Sequence, residues 1–229
     1  MTQPLLEICV DHLDDVTVAA SAGADRIELC ASLELGGVTP GPDLLDRART
    51  LTAIPIMVMI RPRGGDFVYT ADEVAAMAES IDHAKDRGAD GVVLGCLTPD
   101  GGLDVPSVSC LVARARPLPV TFHRAFDEAR DPLPVLDGLI QLGVERLLTS
   151  GQAPAATQGK GLIRDLVERA AGRLIVMPGC GLRASNIREV ANATAAVEFH
   201  GSASTDGRTD ANEIRAMRRA LEIEGRPAS

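Results

Sequence analysis

The chain has 229 residues and a formal net charge of −9, with 32 acidic against 23 basic side chains. That sign argues against a nucleic-acid partner, and no Trp, one Tyr and four Phe leave few platforms on which bases could stack. No apolar stretch approaches the roughly 20 residues of a membrane span. The N-terminal sequence also lacks the basic start and long apolar segment of a signal peptide, so a soluble cytoplasmic protein is expected.

Apolar runs end near Val10, Leu29, Ile60, Leu94, Phe122, Thr149, Met177 and Phe199. Each stops at a polar or glycine-rich corner and gives way to a helix-like stretch, a rhythm of roughly 20 to 35 residues that matches one strand–helix unit of a parallel α/β protein. Strands are expected over 5–10, 25–29, 56–60, 92–94, 120–122, 146–149, 174–177 and 197–199. Gly23 stands where a helix C-cap is wanted, Pro42 starts the second helix at N1, and Thr70 with Glu73 forms a capping box before the third. Later helices are expected over 105–115, from Pro132, after the loop 150–159, from about Ala184 and over 211–222. Residues 202–210 read as a short loop and 225–229 as a frayed tail. Eight such units without an internal linker predict a single-domain TIM (β/α)8 barrel, a fold of typically about 250 residues. An open doubly wound sheet is the alternative, disfavoured by the absence of an early GxGxxG.

Strand side chains alternate between faces. With the β-branched and large apolar residues outward, Glu7, Cys9, Arg26, Glu28, Cys30, Met57, Met59, Arg61, Thr121, His123, Glu198 and His200 point into the barrel. The fourth, sixth and seventh strands are ambiguous by this test. Buried carboxylates must pair, protonate or bind a ligand. Arg26 and Glu198 read as partners in an internal ion network. Glu7, Glu28, Arg61, His123 and His200 lie nearer the C-terminal mouth, where such barrels keep their active sites, and are the candidate catalytic residues.

Arg61 and Arg63, with Pro62, Gly64 and Gly65 at the same corner, suggest a small carboxylate or phosphate, or else neutralise Asp66 and the lumen glutamates. Arg124 and Asp127 flank His123, which can serve as acid, base or ligand. Gly179 and Gly181 after the seventh strand, and Gly201 and Ser202 after the eighth, occupy the corners where many barrels bind phosphate. An isomerase, lyase or hydrolase acting on an anionic metabolite would use these groups. A divalent ion on Glu7, Glu28, His123 and His200 is a variant of that reading.

The five cysteines, at 9, 30, 96, 110 and 180, form no CxxC pair and are expected as free thiols in a reducing compartment. Cys9 and Cys30 point inward from adjacent strands. Soft thiolates suit Cu(I), with Met57 and Met59 near, although a buried Cys is also simply a small apolar residue. Cys110 falls in a helix and is expected to pack.

The segments Leu6-Glu-Ile-Cys-Val10, Gly23-Ala-Asp-Arg-Ile-Glu-Leu-Cys30, Gly36-Gly-Val-Thr-Pro40, Arg61-Pro-Arg-Gly-Gly-Asp-Phe67, Thr121-Phe-His-Arg-Ala-Phe-Asp127, Leu148-Thr-Ser-Gly151 and Glu198-Phe-His200 resemble the CutC family, known as copper homeostasis proteins. The likeness runs over nearly the whole chain. It implies a cytosolic TIM barrel, usually a homo-oligomer, with copper binding or tolerance as its role and Cys9 and Cys30 as holders of Cu(I).

Overall fold

A computed structural model describes residues 3–222. Its main sheet contains β1 (Leu5–Val10), β2 (Arg26–Leu29), β3 (Ile56–Met59), β4 (Gly91–Leu94), β5 (Val120–Phe122), β6 (Arg146–Thr149), β7 (Ile175–Pro178) and β8 (Glu198–Gly201). Helices α1 (Leu13–Ala22), α2 (Pro42–Leu51), α3 (Ala71–Asp86), α4 (Val105–Ala115), α5 (Pro132–Gln141), α6 (Lys160–Ala170), α7 (Ile187–Thr194) and α8 (Ala211–Glu222) follow them in turn. The strands pair in parallel in the order β7-β6-β5-β4-β3-β2-β1-β8. β7 and β8 lie side by side at the seam. The structure is therefore the expected TIM barrel.

Alternation along the strands separates two apolar layers. Leu6, Ile8, Val10, Ile27, Leu29, Ile56 and Val58 belong to the large core between sheet and helices, whereas Cys30, Met57, Met59 and Val93 form a small separate cluster inside the barrel. Glycines on the inner face make room for neighbouring side chains. A Cβ on Gly91 would lie 2.6 Å from Met57 Sδ, and one on Gly95 would lie 2.6 Å from His123 Nδ1. These two positions settle the inward face of β4, which alternation alone left ambiguous.

Local signals set several element ends. Gly23 takes φ 104 at the end of α1 and its N–H caps the helix. Thr70 Oγ1 accepts from Glu73 N–H while Glu73 Oε2 accepts from Thr70 N–H, so the capping box is closed. Three expectations need correction. α7 starts at Ile187 rather than near Ala184, because Asn186 first holds a turn, accepting from Arg183 N–H at 2.8 Å and donating to Gly181 O at 2.9 Å. Residues 202–210 are not a plain loop: Ser204–Thr205 (β9) and Arg208–Thr209 (β10) form a hairpin through Asp206 and Gly207, both at positive φ. Cys110 is exposed, not packed, and Val197, just before β8, is exposed too. The expected tail 225–229 lies outside the described residues.

Candidate metal centre in the barrel mouth

The lower lumen is an ion network. Arg26, only 3% exposed, donates from Nε to Glu7 Oε2 and from Nη2 to Glu198 Oε2, the latter at 2.6 Å. Arg146 Nε completes it at 2.9 Å from Glu198 Oε2. Arg146 was not singled out in the sequence, since Arg146-Leu-Leu-Thr149 offers no clear apolar face. The network contains as many cations as carboxylates, which offsets much of the desolvation cost of burying them. The ion-pair reading of Arg26 and Glu198 holds.

One step toward the strand C-termini, β1, β2 and β8 place Cys9, Glu28 and His200 together. One ligand atom from each lies within 4.8 Å of the other two, and all three residues are buried. Register explains the convergence: Cys9 stands opposite Glu28 across the β1–β2 ladder, and Glu7 opposite His200 across β1–β8. His200 Nδ1 lies 2.8 Å from Glu7 Oε1. Burial alone would raise the pKa of Glu7, but the His200 hydrogen bond and the Arg26 charge outweigh it and hold the carboxyl at about 2. Glu7 is therefore an ionised acceptor and His200 donates Nδ1–H to it, while Nε2, on the Cys9 side, becomes a ligand nitrogen when a metal ion displaces its proton. Burial opposes a charge on His200, yet Glu28 and Cys9, with Glu7, shift its pKa well above the ordinary value.

Glu28 differs from Glu7. Its Oε2 is buried and has no hydrogen-bond partner among the described residues. Burial, aided by the charge of Glu7 and opposed by those of His200 and Arg26, pushes its pKa up to about 7. A carboxyl raised in this way favours the folded state while protonated, and that contribution disappears as pH rises through about 7. Glu28→Gln should therefore gain up to about 3 kcal/mol on the parent at pH 8, relative to the difference at pH 5. Urea titrations of both proteins at the two pH values measure this; an unchanged difference would show that the Glu28 carboxyl has an unseen partner.

The other candidates are not members of this triad. Cys30 belongs to the cluster with Met57, Met59 and Val93, and its thiol donates to Val10 O at 3.5 Å. Burial, then the charge of Glu28, pushes that thiol up, away from thiolate. Arg61 gives both terminal nitrogens to carbonyls, Nη1 to Leu35 O (2.9 Å) and Gly37 O (3.0 Å), and Nη2 to Gly65 O (2.9 Å). Arg63 pairs with Glu73 at 2.6 Å and Asp66 at 3.0 Å. Arg124 pairs with Asp127 at 2.9 Å. Asp127 in turn accepts from the Thr149 and Ser150 hydroxyls and from the Ser150 and Gln152 N–H groups, fastening the β5 corner to the β6 corner. His123 lies on the far side of the lumen, its Nδ1 accepting from Ala125 N–H at 3.2 Å.

The glycine corner after β7 is partly engaged. Gly179 N–H donates to Thr149 O at 2.9 Å, and a Cβ there would strike Leu148 at 2.5 Å. Gly181 is exposed, on a left-handed turn with Cys180. Ala184 N–H donates to the Glu213 carboxylate at 2.8 Å, so the chain's own anion occupies the approach to α7. Gly201 packs against Met217, with the part-buried Ser202 following it.

Comparison with known proteins agrees with this architecture. The CutC family model matches residues 4–205. The copper homeostasis protein cutC homolog of Homo sapiens is 48% identical over 199 residues, covering 87% of this chain and 73% of the human protein. The family protein CutC of Parabacteroides distasonis is 50% identical over 200 residues, covering 87% and 82%. Among solved structures, CutC of Streptococcus agalactiae superposes with a TM-score of 0.83 at 34% identity, covering 87% of this chain and 98% of that one. Phosphoribosylanthranilate isomerase of Pyrococcus furiosus, at a TM-score of 0.65 and 13% identity over 96% of this chain and 98% of its own, shares the fold alone. The chain belongs to the CutC family.

Proposed function

We propose that this protein binds Cu(I) as cargo in copper homeostasis, in the reducing cytoplasm, through the Cys9 thiolate and His200 Nε2, with Glu28 beside them. The supporting observation is the convergence of one sulfur, one nitrogen and one carboxylate donor within 4.8 Å. Thiolate and imidazole suit Cu(I), and the same set with all three donors engaged suits a divalent ion such as Zn²⁺. The unpartnered Glu28 Oε2 is consistent with a cation there. The names of the human and mouse relatives supply the copper role. Glu7 would fix the ring of His200 through Nδ1–H, the carboxylate–imidazole arrangement that orients metal-binding histidines. The expected Cys9–Cys30 pair is the competing donor set, but the Cys30 thiol is turned to a carbonyl among methionines. Self-association, which the family resemblance implies, is read from the mass in analytical ultracentrifugation.

Competition for Cu(I) against a bicinchoninate chelator tests the assignment. Cys9→Ser should weaken binding by about 100-fold or more, exceeding the roughly 10- to 100-fold cost of losing a group that only orients a ligand. Cys30→Ser should stay within about tenfold of the parent. Equal losses at both positions would favour the two-thiol site, and no loss at either would remove copper from the lumen.

A further inference from the structure

The opposite side of the mouth contains a second set of unsatisfied groups that the metal centre does not use. Arg61 is 5% exposed, yet no carboxylate among the described residues lies within 4.0 Å of its guanidinium. The contrast is with Arg26, equally buried and paired to two glutamates. The three carbonyls on Arg61 use its terminal nitrogens and leave Nε buried with no acceptor in hydrogen-bond geometry among the described residues, although the Tyr69 hydroxyl, also buried and unpartnered, lies beside the guanidinium. His123 is also buried, and its Nδ1 accepts a backbone N–H, so the neutral ring carries its proton on Nε2, which is likewise unpartnered. Burial and the Arg61 charge together keep the ring neutral, with a pKa lowered to about 3.

Phe67 touches both groups, with the His123 ring centroid 4.9 Å from its own and Arg61 Cζ 4.8 Å above its ring, and the Arg61 charge is felt at His123. Gly95 is the residue that leaves room for the imidazole. Thr121, two residues before His123 on the same inward face, adds a buried hydroxyl with no partner among the described residues. An unmet buried polar atom costs about 1–3 kcal/mol, and a buried cation without a counter-ion costs more. Two fixed donors and a positive charge beside an aromatic ring fit an acceptor that is small and negatively charged.

We propose that Arg61, His123, Phe67 and Thr121 form a binding site for a small organic carboxylate. One carboxylate oxygen accepts from His123 Nε2–H and Arg61 Nε–H, and a hydroxyl or keto substituent meets Thr121 Oγ1. The site shares no side chain with the Cys9–Glu28–His200 triad and does not depend on metal.

The test is a titration of full-length, metal-free protein carrying ¹⁵N-labelled histidine, with pyruvate and L-lactate as probes and lactamide as the uncharged control. The four histidines are assigned by loss of one signal in His123→Gln. The His123 Nε2 resonance should shift saturably with at least one acid, with a Kd of about 1 mM or tighter, and not with lactamide. Arg61→Gln should weaken binding at least tenfold. Because Arg61 also ties down its loop, Thr121→Val gives a second reading: it removes only an unpartnered hydroxyl, should leave Tm unchanged or higher, and should weaken lactate binding about fivefold. No saturable shift with either acid, or an equal shift with lactamide, overturns the proposal and assigns these atoms to lumen water.

Discussion

Arg26→Met should lower the unfolding free energy by about 3–5 kcal/mol at pH 7, the range for removing one partner from a buried ion pair. The methionine fills most of the volume, so the loss is electrostatic rather than a cavity effect. Without the guanidinium, Glu7 retains only His200 and Glu198 retains only Arg146. Both are buried carboxylates that would then have to ionise against desolvation or take up protons. The pH dependence has a defined sign. Glu7 is held at about 2 in the folded protein, so its contribution is complete above the ordinary carboxyl range near 4.5 and is lost as pH falls toward 2. In the variant that contribution is already gone, so the gap to the parent should hold from pH 7 to about 5 and narrow as pH drops from about 4.5 toward 2. Adding Glu7→Gln to Arg26→Met should restore part of the loss, because the stranded charge is removed. Urea denaturation of the three proteins measures these differences. A loss below about 1 kcal/mol at pH 7 would mean that water, not Arg26, solvates the two glutamates.

Gly159→Ala should cost more than about 3 kcal/mol, at the high end for overpacking. An added Cβ would lie 1.9 Å from Ser150 O and 2.9 Å from Gly151 Cα. Those are backbone atoms, which cannot rotate aside as the end of a side chain could. The loop 150–159 leaves β6 and returns on itself, so its two ends touch and only glycine fits between them. Ser150 is also tied to Asp127 by its N–H and its hydroxyl, so relieving the clash would pull on the β5 corner next to His123. Gly161→Ala is the control two residues away. It lies in α6 with no atom within 4 Å of the added Cβ, so the helix should gain about 0.5–1 kcal/mol. Equal Tm changes for the two variants would show that the loop opens without cost.

The barrel and most of the lumen were legible because two-residue alternation is a strong signal when one face meets helices. Leu6, Ile8 and Val10 lie on one side of β1 and Glu7 and Cys9 on the other, as the pattern required. The short strands gave less. In β4 and the corner after it the inward positions include two glycines, Gly91 and Gly95, which carry no polarity signal, and the side chains of Met57 and His123 explain them. Arg146 escaped notice for the related reason that its strand mixes both classes. The hairpin at 204–209 does have a local sign, since Asp206-Gly207 is a strong type I′ turn dipeptide. Which inward groups meet depends on strand stagger, which sequence does not display. Register sets Cys9 opposite Glu28, and Cys30 goes to the methionine cluster instead. The arginines at 61, 63 and 124 were readable as mouth residues, but their carbonyl and carboxylate partners come from loops and a helix start whose course no periodicity encodes.

The most direct measurement is anomalous diffraction at the copper edge from crystals of the Cu(I)-loaded, reduced protein. A single strong peak within bonding distance of Cys9 Sγ and His200 Nε2, with Glu28 beside it, is the predicted result. Copper bridging Cys30 and Met59, or seated on exposed Cys110 or Cys180 with the lumen free of metal, would contradict it.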